Sequence, residues 1–79
     1  MSKNLKIDVW SQTNCAGCTQ VKNFLKSKGY AYTEYILGVN AEKETLFTKA
    51  PGIRSVPQVF IDDKLIGGVS ETMEYVNNL

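Results

Sequence analysis

"LKIDVWSQTNCAGCTQVKNFLKSKG" (5–29) decides the fold of this chain. Its first six residues alternate and include β-branched Ile7 and Val9, so 5–10 reads as a strand. The period then changes. Over 15–28 the apolar positions are Cys18, Val21, Phe24 and Leu25, spaced three, three and one apart, which marks one face of a helix. Asn14 is the expected cap at its start, with Thr13 as the alternative. Gly29 closes it. Where the strand gives way to the helix stand the chain's two cysteines, Cys15 and Cys18, in a protein with no histidine. A pair so placed has three readings: half of a metal site, a structural crosslink, or two thiols that exchange electrons.

Working outward, "YAYTEYIL" (30–37) is rich in aromatic and β-branched residues and reads as a second strand. "NAEKETLFTKA" (40–50) suits a short helix, with Asn40 as cap and Glu42 and Glu44 in the first turn, where the helix dipole favours them. "PQVFI" (57–61) is a third strand, "DDK" (62–64) a turn, and "LIGG" (65–68) a fourth strand that forms a hairpin with the third. "SETMEYVNNL" (70–79) is a final helix with Ser70 as cap. Met73 stands where a capping box would place Glu, so that box is incomplete. The order β-α-β-α-β-β-α predicts an α/β fold. The first two strands are parallel through a right-handed crossover, the last hairpin is antiparallel, and helices lie on the faces of a mixed sheet.

Residues 1–79 are read as one small domain, 43% apolar, large enough to fold without a metal or a disulfide net. Nine basic and eight acidic residues leave a net charge of +1, so nothing in the balance points to nucleic acid or an anionic membrane as partner. Lys22, Lys26 and Lys28 follow the cysteines, either as a solvated helix face or as local positive potential beside a thiolate. "MSKNLKIDVW" (1–10) turns polar at once and carries no apolar leader segment. No stretch approaches the roughly 18 apolar residues of a membrane span. The expected location is the cytoplasm, where a cysteine pair is catalytic or metal-binding more often than structural.

Structural zinc takes four ligands, usually Cys and His, and this chain offers two thiols and no imidazole. Thr19 occupies the place where a haem-attachment motif needs histidine. The redox reading has a mechanism. At the start of a helix, unpaired N–H groups and the positive end of the dipole favour thiolate over thiol, so Cys15 is the expected nucleophile. Cys18, one turn in, can attack a mixed disulfide formed on Cys15 and release the product. Gly17 in a first helical turn is costly relative to Ala, which fits a motif not chosen for helix stability alone.

Two further stretches bear on this. In "RSVPQVFI" (54–61), Pro57 is either a simple strand-start proline or a cis-proline that exposes the N–H and C=O of Val56 for β-type pairing with an extended thiol substrate. In "IGGVSE" (66–71), Gly67 and Gly68 permit close backbone approach, and the helix that follows offers free N–H groups to a carboxylate. It reads otherwise as an ordinary turn and cap.

Taken together, "IDVWSQTNCAGC" (7–18), "RSVPQVFI" (54–61) and "IGGVSE" (66–71) resemble the glutaredoxin family, and the likeness runs over nearly the whole chain. The resemblance implies a thioredoxin-like fold with a four-stranded mixed sheet and three flanking helices. It also implies glutathione-dependent thiol–disulfide exchange on protein disulfides or glutathione mixed disulfides. By position, Cys15 would be the attacking thiol and Cys18 the resolving one. Val56 and Pro57, preceded by Ser55, would clamp the glutathione cysteine. Gly68, Val69, Ser70 and Glu71 would lie at the γ-glutamyl end, and Gln12 and Gln58 at the glycyl end. Glutathione is the implied co-substrate and no metal is expected. Disulfide-containing proteins are the implied partners, ribonucleotide reductase among them, and the chain is expected to act as a monomer.

The departures from the family pattern are specific. Ala16 and Gly17 replace the common Pro-Tyr, Trp10 a tyrosine, Gln12 a lysine, Ser55 a threonine and Glu71 an aspartate. Loss of the lysine removes a charge that would hold a carboxylate, so recharging by thioredoxin reductase is one alternative. A glutathione-ligated [2Fe–2S] cluster shared between two subunits is another.

Overall fold

A computed structural model describes residues 5–53 and 55–79. The elements in chain order are β1 Ile7–Ser11, α1 Ala16–Ser27, β2 Thr33–Ile36, α2 Lys43–Lys49, β3 Gln58–Ile61, β4 Lys64–Gly67 and α3 Val69–Asn77. The strands form one sheet in the order β2-β1-β3-β4. β1 runs parallel to β2, and β3 is antiparallel to both β1 and β4. This is the β-α-β-α-β-β-α mixed sheet that the sequence predicts.

Every residue of β1 is buried. Helices cover both faces of the central strands, so β1 needs apolar groups on both. Ile7 and Val9 of β1 join Val59 and Ile61 of β3 against Val21 and Leu25 of α1 and Val76 of α3. On the opposite face, Trp10 and Phe60 pack with Leu46 and Ala50. The alternation along β1 and β3 thus assigns α1 and α3 to one side of the sheet and α2 to the other. Trp10 also stacks on Tyr35 of β2, with ring centroids 4.6 Å apart.

The hairpin between β3 and β4 turns on Asp62 and Asp63, with φ of 51° and 67°. Left-handed backbone at both central residues matches the twist of the flanking strands, and Asp tolerates it. Lys6 secures this turn: its N–H donates to Asp62 Oδ1 at 3.1 Å and its Nζ to Asp63 Oδ1 at 2.7 Å.

All three expected helix caps are corrected. α1 is capped by Cys15, whose Sγ accepts the N–H of Cys18 at 3.1 Å. Asn14 lies outside the helix at φ 57°, turning the chain rather than capping it. Asn40 does not cap α2, which starts after Glu42 without a side-chain cap bond. Asn40 Oδ1 instead accepts the Ile36 N–H at 2.6 Å, and its Nδ2 donates to the Glu34 carbonyl, which ties off the end of β2. α3 begins one residue earlier than expected, so Ser70 sits inside its first turn and Gly68 is the capping position. Gly68 has no side chain. Glu71 supplies the other arm of the box by accepting the Gly68 N–H at 3.1 Å. Tyr30 and Tyr32 precede β2 rather than belong to it, and pack against the core from the loop.

Candidate active site

The turn between β1 and α1 brings the cysteines to the end of the sheet. Cys15 and Cys18 form a disulfide, with Cα atoms 5.3 Å apart. Cys15 is half-buried, whereas Cys18 is 1% exposed. An incoming thiol or disulfide therefore reaches Cys15 first. On reduction, the Cys18 N–H that points at Cys15 Sγ and the positive end of α1 both favour a thiolate there.

The Val56–Pro57 peptide bond is cis, so Pro57 is not a simple strand-start proline. Cys15 Sγ lies 3.9 Å from the Val56 carbonyl oxygen. Pro57 itself is buried against α1. A Cβ placed on Gly17 would stand 3.2 Å from Pro57 Cδ and 3.4 Å from Val69 Cγ2. The absent side chain at Gly17 thus lets α1, the cis-proline turn and the start of α3 meet, which gives the costly helical glycine a structural cause.

Two hollows flank the 55–57 turn. One, about 500 Å³, is bordered by Val56, Pro57, Gln58, Gly67, Gly68 and Glu71. Ser55 and Val69 also line it, while Ser70, the next residue of α3, is exposed beside it. The N–H groups of Val69, Ser70 and Glu71 open α3 and have no carbonyl one turn earlier to receive them. The other hollow, about 320 Å³, lies toward α2 and includes Gln12, Ser55 and Val56. Of the two expected glycyl-end residues, Gln12 lines this hollow and the one beside the thiols, and Gln58 lines the hollow at the start of α3. Gln58 is also engaged locally, its Nε2 donating to the Ser55 carbonyl at 3.0 Å.

A third hollow holds Cys15 and Cys18 together with Lys22 and Glu34. Lys22 Nζ is 2.8 Å from Glu34 Oε2, and the buried Ser11 hydroxyl donates to that same oxygen at 2.7 Å. The Lys22 bond first, then the Ser11 bond, holds the Glu34 carboxyl below its ordinary pKa. Lys22 is thus no free cation beside the thiols. Sequence reasoning missed Ser11 and Glu34. The signal lay in the register, because Val9 pairs with Glu34 in the parallel ladder and Val9 faces α1. Among the described residues, no three or more of His, Cys, Asp and Glu gather as a metal site, and no helix is long and apolar enough to cross a membrane.

A strand–C-x-x-C–helix unit facing a cis-proline turn on a four-stranded mixed sheet defines a thioredoxin-fold thiol–disulfide oxidoreductase. Comparison with known proteins narrows this. The glutaredoxin family model matches residues 7–66. A probable glutaredoxin of Synechocystis sp. is 38% identical over 72 residues, spanning 90% of this chain and 82% of that protein. The buckwheat glutaredoxin–glutathione complex superposes with a TM-score of 0.79 at 30% identity, covering 96% of this chain and 72% of that one. Glutaredoxin 1 of Francisella tularensis, in complex with cacodylate, gives 0.78 at 26% identity, covering 94% of each chain. The chain belongs to the glutaredoxin family, and its activity is thiol–disulfide exchange.

Proposed function

We propose that the chain reduces protein disulfides and glutathione mixed disulfides with glutathione as reductant. Cys15 attacks and Cys18 resolves. The observation that carries this reading is the meeting of Cys15 with the Val56 carbonyl at 3.9 Å, beside a hollow that the start of α3 closes. The N–H and C=O of Val56 suit the backbone of a glutathione cysteine. The opening N–H groups of α3, at Val69, Ser70 and Glu71, suit its γ-glutamyl carboxylate. Gly68 keeps that approach open and Glu71 fixes the cap. Ser55 and Gln58 shape the wall, and Gln12 stands at the glycyl end.

In the exchange, the Cys15 thiolate attacks one sulfur of the substrate. A Cys15 mixed disulfide forms and the other sulfur leaves as a thiolate. Cys18 then attacks Cys15, which releases the second thiol and leaves the oxidised pair seen here. Two glutathione thiols return the pair to the dithiol and leave joined as glutathione disulfide. The chain acts as a monomer in a reducing compartment, the cytoplasm, on disulfide proteins that include ribonucleotide reductase.

The test is to follow NADPH loss against a small disulfide. One arm contains glutathione and glutathione reductase; the other contains thioredoxin reductase. Turnover with glutathione supports the clamp. Turnover with thioredoxin reductase alone overturns it, while leaving the thiol roles in place.

A further inference from the structure

The hollow toward α2 differs from the glycine-rich one. Its walls are Leu37, Leu46, Phe47, Ile53 and Val56. Phe47 is large, apolar and still 44% exposed. A volume of about 320 Å³ is at the small end for a ligand site and suits one large side chain rather than a whole ligand. The hollow is continuous with the thiol site, because Val56 forms part of it and Val56 O lies 3.9 Å from Cys15 Sγ. Lys43 stands at the same hollow and makes no ion pair among the described residues.

Chain direction assigns an occupant, and here the argument rests on the glutathione reading above. With a γ-glutamyl group at the start of α3 and a cysteine on Val56, the bound backbone runs from α3 toward Gln12. The residue after the cysteine then falls at the α2 hollow. In glutathione that residue is glycine, which has no side chain to fill it. We infer that the α2 hollow is a specificity subsite for polypeptide disulfides that carry a large apolar side chain directly after the reacting cysteine, with Lys43 favouring an acidic group beyond it. Burying that side chain against Phe47 and Leu37 lowers the barrier for such substrates and leaves glutathione unaffected.

The test uses short peptides whose single cysteine is joined by a disulfide to thionitrobenzoate, with either Phe or Gly after the cysteine. The protein is first reduced with dithiothreitol and desalted, and its Cys15 thiolate then attacks the peptide sulfur. The Cys15–peptide bond forms, and thionitrobenzoate leaves with the electron pair as a coloured thiolate, favoured by its low pKa. The Phe peptide is expected to react about tenfold faster than the Gly peptide. Phe47→Ala should remove that difference and leave the Gly-peptide rate within about twofold, which also reports intact folding. Adding Glu beyond the Phe should raise the rate further, and Lys43→Glu should reverse this. Equal Phe and Gly rates in the unaltered protein overturn the subsite. The glutathione–thionitrobenzoate disulfide is run alongside. If it reacts no faster than the mixed disulfide of free cysteine with thionitrobenzoate under the same conditions, the clamp fails, and the peptide comparison still decides the hollow.

Discussion

α1 and α3 begin beside each other, with Gly17 of one against Val69 of the other, yet they start in opposite ways. α1 is capped by a sulfur that takes the Cys18 N–H. α3 is capped at a glycine, with Glu71 reaching back from its first turn to the Gly68 N–H. Both helices direct positive dipole ends toward the same turn at Val56 and Pro57. At α1 the dipole acts on a covalent part of the protein, and at α3 the opening N–H groups remain for something else to accept. In the proposed function, one backbone feature therefore serves reactivity at one end and recognition at the other.

The largest effect separates the two cysteines of α1. Cys15→Ser should abolish exchange with every substrate. Cys18→Ser should keep turnover of glutathione mixed disulfides, because glutathione resolves the intermediate, while losing most reduction of protein disulfides. Activity surviving in Cys15→Ser would reverse the assignment of the half-buried and buried sulfurs.

At α3 the comparison is between adjacent glycines. Gly67 has φ 129°, and a Cβ there would lie 2.9 Å from Glu71 Cβ. That contact is with the root of the side chain, which cannot swing away. Gly67→Ala should cost about 2 kcal/mol and lower the melting temperature by about 10 °C. At Gly68 the nearest contacts of a Cβ are 3.5 Å, ordinary separations. Gly68→Ala should cost under about 1 kcal/mol in urea unfolding. Equal losses at the two would mean that the cap of α3 does not depend on the backbone shape of Gly67.

Gly17 joins the two helix starts. An alanine there gains helix propensity of roughly 0.5–1 kcal/mol, but must push Pro57 or Val69 back by a few tenths of an ångström. The two should nearly cancel in stability. Displacing the proline turn from Cys15 should still lower kcat/KM about fivefold, since exchange depends on alignment of the reacting sulfurs. An unchanged kcat/KM with unchanged urea midpoint would show that the contact positions nothing.

Much of this was legible in the sequence. The change of period at Cys15 marks β1 and α1, and the unbroken apolar run Val59, Phe60 and Ile61 suits a strand buried on both faces. The cysteine pair is legible because it has a local chemical signature, whereas Pro57 reads equally as a strand start or a cis-proline until the family resemblance is added. What escapes is of two kinds, a competition between near neighbours for the same bond and a pairing of residues distant in sequence. Asn14, Asn40 and Ser70 are good capping residues, yet Cys15, Asn40's own loop and Glu71 took the bonds instead. Propensity names a residue's talent and cannot say which neighbour arrives first. Ser11 and Glu34 lie 23 positions apart and meet only once β1 and β2 pair.

The smallest predicted effect concerns that pairing. Two ion pairs of similar length stand at opposite ends of the sheet. Lys6 and Asp63 are 2.7 Å apart with side chains 60% and 67% exposed, whereas Lys22 and Glu34 are 2.8 Å apart at 26% and 24%. Solvent and salt screen the first far more than the second, despite its shorter distance. Glu34 has its folded pKa depressed below the ordinary 4.5. The stability it contributes is therefore complete above that value and is lost as pH falls through the lower, folded one. Glu34→Gln should cost about 1 kcal/mol near neutral pH, and the difference from the unaltered protein should close as pH falls below the ordinary carboxylate range. Urea midpoints for both proteins across that range decide the matter. A gap that stays constant with pH would assign the cost to lost packing, and one that vanishes in high salt at neutral pH would place Glu34 with the exposed pair at the hairpin.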